Sequence, residues 1–228
     1  MIGNLKLQLI AMDGPVAVGK SSVGRLLARS LGFSFFDTGF MYRAFTWKVL
    51  RVGISPDDVS ALSQLANKTR FDFVPCQEGY LSVIIDGEDV SSDILCPEVE
   101  GKVSLIARVA GVRQVMVTQQ RRLAEQGKLI MAGRDIGTVV LPWAELKIFL
   151  VASVEERANR RYRELLEREE KVDYNITLAD LEKRDDNDSH RVISPLKPAD
   201  DAIIIDTENL SLKQVVDRIY DLVVGLNG

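Results

Sequence analysis

The sequence predicts a three-layer α/β fold built on a five-stranded parallel sheet. Short apolar runs of strand length alternate with longer segments in which apolar residues recur every three or four positions, as in strands joined by helices. The chain has 228 residues, 46 % of them hydrophobic, which is enough to bury one large core. The runs expected to form buried strands lie at 7–12, 33–36, 129–132, 146–151 and 202–206.

The first apolar run leads into a glycine-rich turn that is followed by a helical pattern. The turn reads Gly14-Pro15-Val16-Ala17-Val18-Gly19-Lys20-Ser21, the G-x-x-x-x-G-K-S pattern of a phosphate-binding loop. We predict that Lys20 reaches the β- and γ-phosphates of a nucleotide and that the Ser21 hydroxyl is a ligand of Mg²⁺. The residues predicted to bind phosphate are Gly14, Pro15, Val16, Ala17, Val18, Gly19, Lys20, Ser21 and Ser22.

The segments between the strands are predicted to be mainly helical. A Ser followed by acids in the first turn, Ser153 with Glu155 and Glu156, is typical of a capped helix start. A polar stretch at 171–175 offers little apolar surface for packing, which predicts a mobile lid. The helices are expected over 40–51, 56–68, 97–126 with a break at Gly111, from 153, from about 177 and over 211–224.

The pattern changes between 70 and 95. Two strand-like runs, 71–74 and 80–85, precede an Asp86-Gly87 hairpin signal and a short return at 88–90. Strands joined by tight turns are antiparallel, so this segment is predicted to be a small antiparallel insertion. The predicted organisation is therefore a core of 1–69, 96–152 and 192–228, an insertion at 70–95, and a helical lid with its following helix at 153–191.

Composition excludes several other classes of function. The 29 basic and 33 acidic residues leave a net charge of −4, so neither nucleic acid nor an anionic membrane surface is an expected partner. Two cysteines, Cys76 and Cys96, and the single His190 make a disulfide framework, a clustered metal site or a Ser-His-Asp triad improbable. With no signal peptide or membrane span in the pattern, we expect a cytoplasmic protein.

Charged residues follow the predicted strands where their carboxyl ends should share one edge of the sheet, the place where α/β proteins bind ligands. Arg43 follows the second strand, and Arg134-Asp135 stands between glycines after the third. Arg184, Asp188 and Arg191 would share one helical face if that helix continues through 191. A hydroxyl acceptor of a phosphoryl group needs a base, whereas a phosphate acceptor needs several cations. These arginines therefore favour an acceptor that carries its own phosphate.

Together these motifs resemble those of the bacterial cytidylate kinases, and the resemblance covers nearly the whole chain. The insertion at 70–95 is similar to that family's extended monophosphate-binding region. The matching motifs, in the family's order, are Gly14-Pro15 with Gly19-Lys20-Ser21, Asp37-Thr38-Gly39 with Met41-Tyr42-Arg43, Gly133-Arg134-Asp135-Ile136-Gly137-Thr138-Val139-Val140, and Arg184-Asp185-Asp186 with Asp188 and Arg191.

The resemblance implies a P-loop NTPase fold and a monomer that uses ATP and Mg²⁺ to phosphorylate CMP or dCMP. It implies that Arg43, Arg134 and Arg191 grip the acceptor phosphate, and that Arg184 and Asp188 meet the sugar. Cytosine would be framed by four residues, Thr38, Ser104, Arg113 and Asp135. Lid arginines would be Arg157, Arg160 and Arg161, with Arg160 nearest ATP, and the catalytic set would be Lys20, Arg134, Arg160 and Arg191.

Asp135 has a chemical reason for its implied role, because a carboxylate accepts a hydrogen bond from the exocyclic amine of cytosine and repels the carbonyl of uracil. The sequence departs from the family at four places. Phe40 replaces Ala, Ala132 replaces Asp, Leu95-Cys96 replaces Arg-Thr or Arg-Ser, and Asn187 replaces Arg.

Two other functions stay open at this point. One is a P-loop kinase that acts on a nucleoside or another small hydroxyl acceptor, and the arginines count against it. The other is a nucleotide-binding switch without turnover. A GTPase would need an Asn-Lys-x-Asp stretch, and Asn67-Lys68-Thr69-Arg70 lacks the final Asp.

Overall fold

A five-stranded, all-parallel sheet lies at the centre of the molecule, as predicted. The structure is a computed structural model that describes residues 7–76, 79–169 and 171–227. The predicted segments also include residues 1–6, 77–78, 170 and 228, which lie outside the described residues. Its strands, numbered along the chain, are β1 (Leu9–Asp13), β2 (Ser34–Asp37), β6 (Leu129–Gly133), β7 (Leu146–Val151) and β8 (Ile203–Asp206). Their order in the sheet is β2-β6-β1-β7-β8.

Helices cover both faces of this sheet. Alternate residues of each strand face opposite sides, so Ile10 and Met12 pack with α1 and α8, whereas Leu9 and Ala11 belong to the core under α2 to α5. The helices are α1 (Lys20–Leu31), α2 (Thr38–Val52), α3 (Val59–Lys68), α4 (Pro97–Ala107), α5 (Ala110–Ala124), α6 (Val154–Glu167), α7 (Tyr174–Ser189) and α8 (Leu212–Asn227). Among the described residues, no helix has the length and apolar character that a membrane span requires.

The predicted insertion forms a separate antiparallel sheet of three strands, β3 (Phe71–Pro75), β4 (Leu81–Ile85) and β5 (Glu88–Asp89). Asp86 and Gly87, with φ of 53° and 86°, adopt the left-handed conformation that a tight hairpin turn needs. Among the described residues, one isolated bridge, between Phe35 and Tyr80, joins this sheet to the edge of the central one.

The predicted break at Gly111 is wrong, because the chain breaks at Arg108 and Val109, between α4 and α5. Gly111 lies inside α5, where it allows α3 to come close. A Cβ at Gly111 would lie 2.3 Å from Ser63 Oγ. The glycine thus serves helix packing and does not end a helix.

Both ends of α7 and the burial of β8 also differ from the prediction. Helix α7 begins before Thr177, because Asp173 Oδ1 accepts hydrogen bonds from the N–H groups of Asn175 (2.8 Å) and Ile176 (3.1 Å). The same helix ends at Ser189 and does not continue through Arg191. Strand β8 is an exposed edge strand in which only the third residue is buried, so the prediction of a buried strand there is wrong.

Candidate active site

The glycine-rich turn forms a loop between β1 and α1, with its backbone close to β7. A Cβ on Gly14, whose φ is +147°, would lie 2.4 Å from the carbonyl oxygen of Leu150, so a larger residue does not fit there. The Lys20 ammonium is buried and donates to the carbonyl oxygens of Gly14 (2.7 Å) and Pro15 (2.6 Å). Burial, and after it the charge of Arg134, lowers the pKa of Lys20. Ser22 is exposed at the start of α1.

Ser21 and Asp37 bring two hard oxygen atoms together at the end of this loop. Ser21 Oγ donates to Asp37 Oδ2 (2.5 Å), and Asp37 Oδ1 accepts from the N–H of Gly39 (2.9 Å), which caps α2. The described residues include no cluster of three or more His, Cys, Asp or Glu that could hold a metal ion. Mg²⁺ in phosphoryl-transfer sites uses one or two protein oxygens and takes the others from phosphates and water, so this pair fits it.

Asp13, the last residue of β1, connects this loop to the Gly133–Thr138 segment. Its buried carboxylate accepts hydrogen bonds from the N–H groups of Ile136 (2.8 Å) and Gly137 (2.7 Å). These are the first amides of a short π-helical turn, Ile136–Val140. Burial raises the pKa of Asp13 to about 6, although the two backbone hydrogen bonds lower it. The carboxylate therefore acts as a cap from another part of the chain and holds Arg134 and Asp135 beside the loop.

Five arginines and three acids form a cluster next to the phosphate-binding loop. Asp135 pairs with Arg113, and both side chains are buried. Arg134 Nε donates to Asp188 Oδ2 (2.8 Å). The pKa of Asp188 is lowered because the attraction of Arg134, Arg191 and Arg184 outweighs burial. The cluster, named here the acceptor cluster, consists of Arg43, Arg113, Arg134, Arg184 and Arg191 with Glu100, Asp135 and Asp188.

Glu100 of α4 joins two of these arginines. Arg43 Nε donates to Glu100 Oε1 (2.9 Å), and Arg184 Nη1 donates to Glu100 Oε2 (3.0 Å). Burial opposes ionisation of this carboxyl, but the two guanidinium groups prevail and lower the pKa of Glu100 to about 2. With five positive and three negative side chains, the acceptor cluster has an excess of two positive charges.

Arg191 joins the cluster although α7 ends before it. Its Nε donates to the carbonyl oxygen of Ser194, and its terminal nitrogens lie 3.8 Å from Asp135 Oδ1 and 3.9 Å from Asp188 Oδ1. Within the described residues its buried Nη2 atom has no hydrogen-bond partner. The predicted grouping of Arg184, Asp188 and Arg191 is thus present, but a turn after the helix produces it. His190 is exposed, as expected.

Two of the three predicted lid arginines contact the phosphate-binding loop or its surroundings. Arg157 donates to Asp185 Oδ2 (2.5 Å) and to the carbonyl oxygen of Val16 (3.3 Å). Arg160 donates to Thr207 O (2.7 Å) and to Val18 O (3.4 Å). Arg161 instead pairs with Glu164 (2.9 Å) on its own helix.

The sequence also drew attention to Thr38, Ser104 and Phe40. Thr38 is buried, and its Oγ1 donates to the carbonyl oxygen of Ala132 (2.9 Å). Ser104 is half-buried on α4, one turn after Glu100. Phe40 packs edge-on against Tyr80 of the insertion, with ring centroids 5.6 Å apart.

Comparison with known proteins agrees with this geometry. The family model for cytidylate kinase matches residues 10–224. The chain is 46 % identical over 214 residues to a cytidylate kinase from Bacillus licheniformis, covering 94 % of this chain and 95 % of that protein. It is 45 % identical over 217 residues to a cytidylate kinase from Streptococcus uberis, covering 95 % and 96 %.

This chain belongs to the cytidylate kinase family. Solved structures agree on the fold. A shikimate kinase from Bacteroides thetaiotaomicron superimposes with a TM-score of 0.50 at 12 % identity, covering 95 % of this chain and 98 % of that one. A gluconokinase from Sinorhizobium meliloti gives a TM-score of 0.50 at 13 % identity, with 96 % and 93 % covered. The family's P-loop fold predicted from the sequence is thereby confirmed.

Three acids of this cytidylate kinase family member were given no role from the sequence: Asp13 and Glu100 were not named, and Asp37 was named only as part of a motif. An acid at the end of a buried strand is costly unless its charge has a partner. This position in the sequence could have drawn attention to Asp13 and Asp37. Glu100 carries no such signal, because it is one of two acids in the first turn of a half-exposed helix. Only the packing of α4 against α2 and α7 brings it to the arginines.

Proposed function

We propose that this protein transfers the γ-phosphoryl group of ATP to CMP or dCMP and produces ADP with CDP or dCDP. The observation that carries the proposal is the acceptor cluster beside the phosphate-binding loop, with its excess of two positive charges. A nucleoside monophosphate brings a charge of about −1.5 to −2 at pH 7, which matches that excess. Membership in the cytidylate kinase family supports the same acceptor.

The state of the carboxylates argues against a hydroxyl acceptor. Glu100, Asp135 and Asp188 are each paired with arginines, and the pKa values of Glu100 and Asp188 are lowered. A carboxylate held in this way is a poor base for a hydroxyl proton. An acceptor phosphate is already an anion and needs no base, so the site suits it better.

On the acceptor side, we assign Arg43, Arg134 and Arg191 to the phosphate. The Nη2 atom of Arg191 supports this assignment. It lies 3.8 Å from Asp135 Oδ1 but has no hydrogen-bond partner among the described residues, and a buried donor without a hydrogen bond is costly unless a ligand supplies one. Arg184 and Asp188 would contact the sugar. Cytosine would lie among Thr38, Ser104, Arg113 and Asp135, and its amine would donate to Asp135.

On the donor side, residues 14–22 would surround the phosphates of ATP. Lys20 would exchange the carbonyl oxygens of Gly14 and Pro15 for the β- and γ-phosphates. Arg160 would stabilise the transferring group from the lid. Ser21 and Asp37 would hold Mg²⁺, which when bound neutralises charge on the phosphates. The protein's task is to align donor and acceptor for in-line transfer without a covalent intermediate.

The proposal includes the organisation of the chain. The core would consist of 1–69, 96–152 and 192–228, the insertion of 70–95 would flank the monophosphate site, and 153–191 would form the lid. The contact of Arg157 with the loop carbonyl of Val16 supports a lid that senses the donor. A cytoplasmic monomer without nucleic acid or membrane partners completes the proposal. The lack of those partners is inferred from the balanced composition, and the monomer is inferred from the family resemblance.

The test is ADP release with ATP and Mg²⁺ against CMP, dCMP, UMP, AMP, GMP and cytidine. We expect CMP and dCMP to give the highest kcat/KM and cytidine to give none above the ATP-only background. Activity on cytidine would favour a kinase for hydroxyl acceptors. ATP binding without turnover on any acceptor would favour a nucleotide-dependent switch.

A further inference from the structure

Glu100 joins three helices at the acceptor cluster. It lies on α4, whereas Arg43 belongs to α2 and Arg184 to α7, the helix that follows the lid. Its two oxygens are divided between the two arginines, with Oε1 on Arg43 and Oε2 on Arg184. All three side chains are mostly buried, with 17 % to 22 % of each exposed, so solvent screens these contacts only in part.

The contact with Glu100 uses only one edge of the Arg43 guanidinium group. Glu100 takes the Nε and Nη2 atoms of that guanidinium group, at 2.9 Å and 2.8 Å. The Nη1 atom points to the turn that begins α2, because a Cβ on Gly39 would lie 2.8 Å from it. Asp37 and Ser21 are in the same turn and the adjoining loop. Arg43 can therefore bind Glu100 and an anion near the loop at the same time.

Glu100 also offsets repulsion between cations. Burial lowers the pKa of Arg184 most, the charge of Glu100 raises it, and the charges of Arg134 and Arg43 lower it. A long arginine side chain has many rotamers, and fixing it before the ligand arrives reduces the entropy lost on binding. A carboxylate between two arginines supplies that order.

We infer that Glu100 is a positioning residue of the acceptor site, which orients Arg43 and Arg184 for the phosphate and sugar of the nucleoside monophosphate. This inference rests on the proposed function. The alternative is that the Glu100 carboxylate competes with the acceptor phosphate for the same arginines. The two roles predict opposite changes in the KM for CMP when the charge of Glu100 is removed.

The experiment compares wild type with Glu100→Gln, which keeps the size of the side chain and removes its charge. We expect the KM for CMP to rise about tenfold, as for the loss of one charge-assisted contact. The KM for ATP and the kcat at saturating CMP should change less than twofold. The matched control is Glu98→Gln on the same helix, since Glu98 is 69 % exposed and pairs weakly with Lys102 at 3.8 Å.

Two further variants connect the effect to the arginines. Arg43→Lys keeps the positive charge but cannot donate two parallel hydrogen bonds to Glu100. Adding Glu100→Gln to the Arg43→Lys variant should therefore raise its KM for CMP by clearly less than tenfold. Glu100→Asp keeps the charge but shortens the reach, and it should also raise this KM. Circular dichroism first establishes that each variant folds, and Glu100→Asp decides the question if Glu100→Gln does not fold.

The inference would be overturned if the KM for CMP were unchanged in Glu100→Gln, or in Glu100→Asp where that variant decides. A lowered KM would also overturn it and would identify Glu100 as a competitor of the acceptor. A rise of equal size in the KM for ATP would also overturn it, because it would indicate a general disturbance. If wild type transfers nothing to CMP, the proposed function itself has failed and the inference falls with it. If wild type phosphorylates CMP and the variant has the same KM for CMP, only the inferred role of Glu100 is contradicted, and the proposed function stands.

Discussion

The carboxylate of Asp13 shows how much a single side chain contributes to this site. It is ionisable and buried, yet its partners are two backbone amides of a distant segment. Lys20 and Asp135 are the charged groups that act on it, and they act in opposite directions. Because its pKa is about 6 in the folded protein, its titration leaves a measurable trace in stability.

We expect Asp13 to reduce stability as the pH rises. Its pKa is about 6 in the folded protein and 3.8 ordinarily, so the folded state binds the proton more tightly than the unfolded state. Between pH 4 and 6 the free energy of unfolding of wild type should therefore fall by ~2 kcal/mol relative to Asp13→Asn, which cannot titrate. Urea unfolding of both proteins at several pH values measures this difference. A difference that does not vary with pH would contradict the expectation.

Asp135 is a second residue whose role can be isolated. Replacing it with Asn exchanges one acceptor oxygen for a donor, which can pair with the carbonyl of uracil. We expect Asp135→Asn to lower the ratio of kcat/KM for CMP to that for UMP by at least tenfold. Asp186→Asn, on an exposed carboxylate of α7, is the control. If both variants keep the wild-type ratio, Asp135 does not read the base.

At the scale of secondary structure, close approaches between elements place the site. Helix α1 must lie tightly on β2 for Ser21 to reach Asp37. Gly24 makes that approach possible, since a Cβ there would lie 2.1 Å from the ring of Phe35. By contrast, Gly101 in α4 has no atom within 4 Å of such a Cβ.

These two glycines give a paired prediction. Gly24→Ala should lower the free energy of unfolding by ~1–3 kcal/mol, because it overpacks the contact with Phe35. Gly101→Ala should raise it by up to ~1 kcal/mol, because alanine favours a helix interior. Thermal unfolding followed by circular dichroism compares both with wild type. A Gly24→Ala protein as stable as wild type would show that α1 and β2 can separate without cost.

At the scale of the whole molecule, the acceptor cluster brings an excess of positive charge together from elements that are far apart in sequence. Arginines of α2, α5 and α7 and of the segments after β6 and α7 meet there. Their mutual repulsion opposes folding until an anion binds. Ligand binding and global stability are therefore coupled.

We expect CMP to stabilise the folded protein and cytidine to have little effect. At a concentration 100 times its Kd, CMP should add ~2.7 kcal/mol to the free energy of unfolding. For a chain of this length this raises the Tm by several degrees. Differential scanning fluorimetry with CMP, cytidine and inorganic phosphate measures it. Equal shifts with CMP and cytidine would show that the arginines do not bind the phosphate.

The fold and the glycine-rich loop between β1 and α1 could be predicted from the sequence because their determinants are local. The phosphate-binding loop is a contiguous stretch, residues 14–21, between a strand and a helix. The Asp86-Gly87 turn predicted the hairpin of the insertion. The roles suggested for Arg43, Arg134 and Arg191 came from motif resemblance and stay predictions. The structure adds to them only that these residues share one cluster.

The tertiary structure decided what depends on contacts between distant segments. Glu100 is an ordinary helix acid until α4 packs beside α2 and α7, and Asp13 gains its partners 123 and 124 residues later in the chain. Arg191 reaches the cluster through a turn that helical periodicity does not foresee. Periodicity and motifs report on neighbours in sequence, whereas the pairing of buried charges depends on how the elements pack, which only the folded chain determines.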